Sequence, residues 1–152
     1  MVESIFGNGI DTVKTSLLAY TLADDVENLV FIGGGNFTGT GSAAANSITG
    51  GSGADTLYGG GGNDKLFGLG GADDLYGGSG ADEFHFDSSK AINGAEVHDY
   101  TQGVDKLIFD AAGNWSASWV DADTTRFTSA SGDTVLVDGL DLSHAWAAMI
   151  LV

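Results

Sequence analysis

Four aspartates recur at nine-residue intervals in one glycine-rich segment, and they are the side chains most suited to chemistry. Residues 50–85 divide into four blocks of nine, GGSGADTLY, GGGGNDKLF, GLGGADDLY and GGSGADEFH. The sixth residue of every block is aspartate: Asp55, Asp64, Asp73 and Asp82. Carboxylates can serve as general acids or bases, and they can also bind hard metal ions. Because the four aspartates recur at a strict nine-residue period, we interpret them as parts of a repeated site.

The eighth position of each block is large and apolar, and the ninth carries an aromatic ring. The apolar residues are Leu57, Leu66, Leu75 and Phe84. A unit with one apolar residue cannot bury it alone, so copies must stack above and below. Three residues such as 56–58 predict a short strand, and six such as 50–55 predict a turn. Two units then form an 18-residue coil, and period-two alternation directs Thr56, Lys65, Asp74 and Glu83 to solvent.

The stacked turns require a cation. One buried apolar residue per nine does not offset the ordering of a glycine-rich backbone. The period also places Asp64 against Asp82, and Asp55 against Asp73, where like charges repel. Ca²⁺ accepts six to eight oxygen ligands at flexible geometry, whereas Zn²⁺ prefers His and Cys and Mg²⁺ demands tight octahedral geometry. The sequence therefore predicts several bound Ca²⁺ ions.

Composition limits the possible partners. The chain has 152 residues, a formal net charge of −16, 25 glycines, and neither Cys nor Pro. This charge disfavours nucleic acid, anionic membranes and polyanionic sugars. No run approaches the ~20 apolar residues of a membrane span, and the first residues do not resemble a cleaved signal peptide. Motifs of metalloproteases, serine hydrolases, phosphate loops and dinucleotide sites are missing, so we expect no enzymatic activity.

Three regions follow from these patterns. Residues 1–49 are interpreted as degenerate coils, since GSAAANSIT at 41–49 keeps the frame with Asn46 at the aspartate position. Residues 50–87 are the calcium-binding repeats, and residues 88–152 are a C-terminal capping and export region. Short strands are expected there at 105–109, 116–120, 124–128 and 134–137. Residues 142–152 are either a short amphipathic helix or a terminal strand.

The four blocks resemble the nonapeptide GGxGxDxUx of the repeats-in-toxin (RTX) family, where U is large and apolar. The resemblance implies an all-β fold: a calcium-bound parallel β-roll, which is a right-handed β-solenoid, followed by a small β-rich C-terminal cap. It also implies a secreted, extracellular protein. Export would use a type I secretion system that reads an uncleaved C-terminal signal.

The resemblance further implies which residues bind each ion. In that family an ion takes positions two, four and six of one turn and positions one, three and six of the turn 18 residues later, with side-chain ligands only at position six. One site would join Gly51, Gly53 and Asp55 to Gly68, Gly70 and Asp73. A second would join Gly60, Gly62 and Asp64 to Gly77, Ser79 and Asp82. A third, weaker site would join Ser42, Ala44 and Asn46 to Gly59, Gly61 and Asp64. Asp99 and Asp105 would complete a last site beside Asp82.

The main functional hypothesis is a non-catalytic module that folds when it meets extracellular Ca²⁺ after secretion. The alternative is a carbohydrate- or surface-binding module of a larger secreted enzyme or adhesin. A neutral glycan would use Trp115, Trp119 or Tyr100. His85, His98 and His144 form no His-x-x-x-His pair and are interpreted as scattered surface or strand residues.

Overall fold

The structure is a computed structural model, and it describes residues 9–120, 123–140 and 149–151. Strands dominate the described residues. They are β1 Thr12–Thr15, β2 Ala19–Thr21, β3 Asn28–Phe31, β4 Thr38–Thr40, β5 Ser47–Thr49, β6 Thr56–Gly61, β7 Lys65–Phe67, β8 Asp74–Ser79, β9 Glu83–Phe86, β10 Asn93–Val97, β11 Lys106–Phe109, β12 Ser116–Trp119, β13 Thr124–Thr128, β14 Thr134–Asp138 and β15 Met149–Leu151. Two single-turn 3₁₀ helices, Ser88–Lys90 and Ala111–Gly113, lie in connections.

Successive strands alternate between two parallel sheets, so the chain winds as a solenoid of about five turns. One sheet has the order β1-β3-β5-β7-β9-β11-β15, and the other contains β10-β8-β6-β4-β2. Between β4 and β9 each strand pairs with the strand one coil later in parallel register, as in Leu57 with Leu75 and Leu66 with Phe84. The predicted all-β parallel β-roll is confirmed.

The core lies between the two sheets and is as thin as the repeat requires. Leu57, Leu66, Leu75 and Phe84 have no exposed surface, and Val97 and Leu107 continue their rows in the later coils. The residues on either side of each buried position face outward, which is the alternation of a strand with one buried face. This arrangement leaves the intervening turns, with their aspartates, at the two edges of the roll.

The C-terminal region extends both sheets. Strands β12, β13 and β14 form an antiparallel meander, and β14 pairs in parallel with β10. Strand β15 pairs in parallel with β11, so the described end of the chain is a strand. Trp115 and Phe127 pack on Phe109, with ring centroids 4.8 Å apart in each pair. The four strands predicted after residue 104 therefore exist, 124–128 with the predicted bounds and the other three with one end shifted by a residue. Residues 141–148, including His144 and Trp146, lie outside the described residues.

Candidate calcium sites

The repeat aspartates form two columns, one along each edge of the roll. In the first column the backbone N–H of Asp55 donates to Asp73 Oδ1 at 2.9 Å. In the second, the N–H of Asp64 donates to Asp82 Oδ1 at 2.8 Å. Each bond spans 18 residues, one coil of the solenoid. All four side chains are at most 2% exposed, so the fold places acidic groups directly above one another and away from water.

The second column holds carboxylate oxygens that lack a protein partner. Among the described residues, Asp64 Oδ2 and Asp82 Oδ2 are buried without a hydrogen bond. A Cβ added to Gly59 would collide with Asp64 Oδ2 and with the carbonyl oxygen of Gly77. A carboxylate oxygen and the first carbonyl of the next turn therefore converge where only glycine fits. Buried polar atoms without partners are rare in proteins, and an oxygen-lined space of this kind suits a hard cation such as Ca²⁺.

The electrostatics of the protein alone disfavour the charged carboxylates. The pKa of Asp73 is raised to about 7, chiefly by burial and also by the charges of Asp55 and Asp74, although a hydrogen bond from the Asp55 N–H opposes the shift. Burial likewise raises the pKa of Asp64 to about 6, with a further contribution from the charge of Asp82. The pKa values of Asp55 and Asp82 are also raised, chiefly by burial. A cation between the turns would remove this penalty.

The first column is short. A Cβ on Gly50 would lie 2.9 Å from the carbonyl oxygen of Gly68 and would collide with Asp55 Oδ2, which also accepts a 2.5 Å bond from the Gly51 N–H. One coil earlier the position of the carboxylate is taken by Phe37, whose N–H donates to Asp55 Oδ1 at 2.8 Å. One coil after Asp73 the position is taken by Ala95, because Glu96 pairs with Asp74. The column therefore contains a single pair of carboxylates.

The second column is longer, and Asp105 belongs to it. The N–H of Asp82 donates to Asp105 Oδ1 at 2.9 Å across 23 residues, which repeats the 18-residue contact made by Asp64. Asn46 occupies the other end, and its N–H donates to Asp64 Oδ1 at 2.7 Å. The Asn46 amide also donates to the carbonyl oxygen of Val26 at 3.0 Å, so its nitrogen is turned away from the turn. The column reads Asn46, Asp64, Asp82 and Asp105.

Asp99 lies beside this column and binds differently. Its two carboxylate oxygens accept hydrogen bonds of 2.8 Å from the N–H groups of Gly77 and Gly78. Its charge contributes to the raised pKa of Asp82, after the effects of burial and of Asp105. The structure thus brings both Asp99 and Asp105 to the turn that contains Asp82, but only Asp105 takes a position-six place.

The backbone carbonyls at positions two and four of the ligand sets face the following turn. The carbonyl oxygen of Gly51 accepts from the Gly70 N–H at 3.1 Å, and that of Ser42 accepts from the Gly61 N–H at 3.0 Å. The close approach of the turns is also seen from what a Cβ added to a glycine would meet. A Cβ would strike the carbonyl oxygen of the turn before it at Gly71 (Gly53), Gly78 (Gly60) and Gly80 (Gly62), and it would strike Ala44 at Gly62. At Gly61 it would lie 3.4 Å from Ser79 Oγ. Adjacent turns therefore approach so closely that carbonyl oxygens fill the space between them.

Two residues suggested for a glycan do not present a surface. Trp115 is 8% exposed and Tyr100 is 4% exposed. The Tyr100 hydroxyl donates to the carbonyl oxygen of Asp105 at 3.1 Å, so this ring supports the last turn of the second column. Neither ring can stack on a sugar from these positions.

Sequence reasoning missed Phe37 as a member of the first column. The signal was available, because counting 18 residues back from Asp55 reaches Phe37. The ring is 1% exposed and stacks on Phe31 at a centroid distance of 4.6 Å. An apolar pair thus stands at the place where the repeat has a carboxylate.

Comparisons with known proteins agree with this geometry. The family described as RTX calcium-binding nonapeptide repeat (4 copies) matches residues 32–66, 40–75 and 49–84. Among solved structures, the chain resembles the AlgE6R3 subunit of the Azotobacter vinelandii mannuronan C5-epimerase, with 25% identity and a TM-score of 0.52 over 99% of this chain and 84% of that one. No curated protein matches the chain. Within the described residues, no helix has the length and hydropathy that a membrane span needs. Residues 32–84 therefore match the RTX calcium-binding nonapeptide repeat family and form part of a parallel β-roll.

Proposed function

We propose that this chain is a non-catalytic calcium-binding module whose folding is triggered by extracellular Ca²⁺ after type I secretion. The observation that carries the proposal is the burial of Asp64 and Asp82 with carboxylate oxygens that no protein group satisfies. A fold that buries unpaired charge is unstable until a cation is bound. Binding and folding are then a single equilibrium.

The ligands in this proposal follow the two columns. Asp55 and Asp73 hold one ion, and Asp64 and Asp82 hold another. Asp82 and Asp105 hold a third, and Asn46 with Asp64 provides a weaker site with one carboxylate. The backbone ligands are those of the family pattern, which here fall on Gly51, Gly53, Gly59, Gly60, Gly61, Gly62, Gly68, Gly70, Gly77 and Ser79. Ca²⁺ supplies the charge that these oxygens need and joins turns from successive coils.

Affinity in the range of extracellular modules, roughly 10⁻⁴–10⁻³ M, gives the chain a switch between compartments. Calcium inside a cell is too scarce to fill such sites, so the chain stays unfolded and fits a narrow exporter. Outside the cell the sites fill and the roll forms. Residues 88–152 act as the cap and the export signal in this proposal, residues 50–87 as the calcium-binding repeats, and residues 1–49 as their degenerate extension.

Circular dichroism and sedimentation in calcium and in chelator test the trigger. We expect a compact strand-rich chain in about 10 mM Ca²⁺ and an expanded, largely unordered chain in chelator. Magnesium at the same concentration serves as the control for ionic strength and should not restore the strands. A strand signal and a sedimentation coefficient unchanged by chelation would refute the proposal.

A second candidate is a module that serves a larger secreted enzyme. The similar structure is a subunit of a mannuronan C5-epimerase, which favours an accessory role of this kind. The net charge of −16 disfavours direct contact with an acidic polysaccharide. Retention of the calcium-loaded chain on neutral but not acidic glycans would distinguish sugar binding from a purely structural role.

A further inference from the structure

A histidine and two carboxylates meet on the outer face of the larger sheet, away from the calcium columns. His98 Nε2 lies 2.8 Å from Asp74 Oδ1 and 3.8 Å from Glu96 Oε2. One ligand atom from each of the three residues lies within 4.8 Å of the others. Asp74 belongs to β8 and Glu96 to β10, while His98 directly follows β10, so the rigid part of the sheet holds all three.

The register of the sheet brings like charges together here. Glu96 pairs directly with Asp74, and such facing carboxylates destabilise a sheet unless a positive charge lies between them. Among the described residues, the ion pairs of Asp74 and Glu96 involve His98 and no lysine or arginine. A third carboxylate, Asp138 Oδ2, lies 3.9 Å from His98 Nδ1. The cluster therefore has an excess of negative charge around one imidazole.

The His98 ring is held in position by stacking on a neighbouring aromatic ring. It stacks on Tyr76 with a centroid distance of 4.6 Å and an interplanar angle of 14°. Its Nδ1 faces Asp138 while its Nε2 faces Asp74 and Glu96. At 3.9 Å the Asp138 carboxylate is beyond hydrogen-bond distance of Nδ1, so it adds negative charge beside the ring without fixing the ring's tautomer. The side chain is 23% exposed, so the group lies at the surface, and a metal ion would replace the proton shared by His98 Nε2 and Asp74 Oδ1 in their 2.8 Å hydrogen bond.

His85 on the opposite sheet provides an internal contrast. It also stacks on an aromatic ring, Phe67, and its Nε2 lies 3.4 Å from Glu83 Oε2. Glu83 is neutralised by Lys65 at 3.2 Å and Lys106 at 3.4 Å. The His85 group therefore has one carboxylate, two ammonium groups and a buried Nε2, a combination that repels cations. Of the two histidine groups in the described part of the chain, the His98 group alone has the composition of a metal site.

We propose that Asp74, Glu96 and His98 form a surface site for a divalent transition metal of the Zn²⁺ class, separate from the calcium sites. An imidazole with two carboxylates suits Zn²⁺, whereas Ca²⁺ takes oxygen ligands. Tetrahedral ligands about 2.1 Å from Zn²⁺ lie about 3.4 Å apart. Ligand separations from 2.8 to 4.8 Å reach that value through small rotations of Asp74 and Glu96, whose side chains are 50% and 44% exposed. Water completes the coordination.

Zinc titration of the intact chain, followed by calorimetry and by imidazole NMR in about 10 mM Ca²⁺ at neutral pH, tests the site. Calcium keeps the roll folded and occupies the aspartate columns, so a failed zinc site is distinguishable from a failed calcium trigger. We expect one zinc ion to bind and to shift the Nε2 resonance of His98. His98→Gln should weaken binding by about tenfold or more, and the matched His85→Gln should leave it unchanged.

A second variant protects the test from a folding defect. The Asp74→Asn/Glu96→Gln double variant changes only half-exposed side chains and keeps His98, so the strand signal in calcium should persist while zinc affinity falls. Absence of zinc binding to the calcium-loaded wild type would overturn the proposal. Zinc affinity that is equal in wild type and His98→Gln, or that is abolished by raising calcium, would overturn it as well.

Discussion

Asp82 and Asp55 are equally buried, yet the two columns give them different numbers of partners. Each is 1% exposed, and each accepts a 2.8 Å hydrogen bond from a backbone N–H one coil earlier. Asp82 has a carboxylate on both sides, Asp64 and Asp105, whereas Asp55 has only Asp73, because Phe37 takes the other side. Substitution by asparagine keeps the Oδ1 acceptor and removes the charge. We predict that Asp82→Asn leaves two calcium sites, and Asp55→Asn leaves one, with a single carboxylate each, as in the Asn46–Asp64 pair, and that such sites stay unfilled at about 10 mM calcium.

Linkage gives the size of the difference. A site that is filled at about 100 times its Kd stabilises the folded state by about 2.7 kcal/mol. Sites with Kd near 10⁻⁴ M reach that ratio at about 10 mM calcium. Asp55→Asn should then lower the free energy of unfolding by about 2.7 kcal/mol, and Asp82→Asn by about 5 kcal/mol. Each ion bound on folding also adds about 1.4 kcal/mol per tenfold increase in calcium, so the slopes should fall by about 1.4 and 2.8 kcal/mol.

The assay is urea unfolding followed by Trp fluorescence at a series of calcium concentrations. The slope of the unfolding free energy against log calcium counts the ions directly, and it is insensitive to effects of the substitution that do not involve calcium. Asp105→Asn should lower the slope by one ion, and combining it with Asp82→Asn should lower the slope no further than Asp82→Asn alone. Equal slopes for Asp82→Asn and Asp55→Asn would refute the assignment of Asp105, and unchanged slopes would refute both columns.

Two further predictions concern close packing and protons. Gly78→Ala should destabilise the calcium-bound chain by more than Gly132→Ala. Both residues have φ near +95° (92° and 97°), but of the two only Gly78 lies where a Cβ would strike a carbonyl oxygen. Thermal melts compare the two variants, and equal losses of stability would refute the steric argument. In chelator the raised pKa values of Asp64, about 6, and Asp73, about 7, mean that any folded population is most stable below about pH 4 and loses stability as the pH rises through 6 to 7. In calcium the trend should reverse, since protons compete with the ion for the same oxygens. A circular-dichroism strand signal that follows pH in the same direction with and without calcium would contradict this.

The sequence predicted the regular part of the roll because one period controls strand, turn and carboxylate together. Where the coil length is 18 residues, the buried leucines and the stacked aspartates follow from counting alone. The prediction weakened where the coils lengthen to 22 and 23 residues, at Asp99 and Asp105. There the extra residues form irregular connections, including the 3₁₀ helix Ser88–Lys90, and no periodic signal indicates which acid enters the column. Only the paired strands β9 and β11 fix Asp105 beside Asp82.

The His98 group could not be predicted from the sequence, because it too depends on a coil longer than 18 residues. Asp74 and His98 are 24 residues apart, a separation that matches no multiple of the repeat. Their contact depends on the longer coil, which places Glu96 opposite Asp74 and stacks His98 on Tyr76. The three histidines carry no spacing motif, so a sequence reader has no reason to choose His98 over His85. The surrounding charges distinguish the two histidines, and those charges are known only once the sheets are built.

At both ends of the first column an apolar residue takes the place of the aspartate. Phe37 replaces the carboxylate and stacks on Phe31, whose ring lies 3.0 Å from a Cβ built on Gly51. The same turn-to-turn space that holds oxygens farther along is therefore filled by carbon. At the other end Ala95 removes the charge altogether, and the aromatic cluster around Phe109 takes over the packing. Hydrophobic burial can stabilise the coils at both ends but not those between them. The proposed calcium dependence is therefore confined to the turns between Asn46 and Asp105.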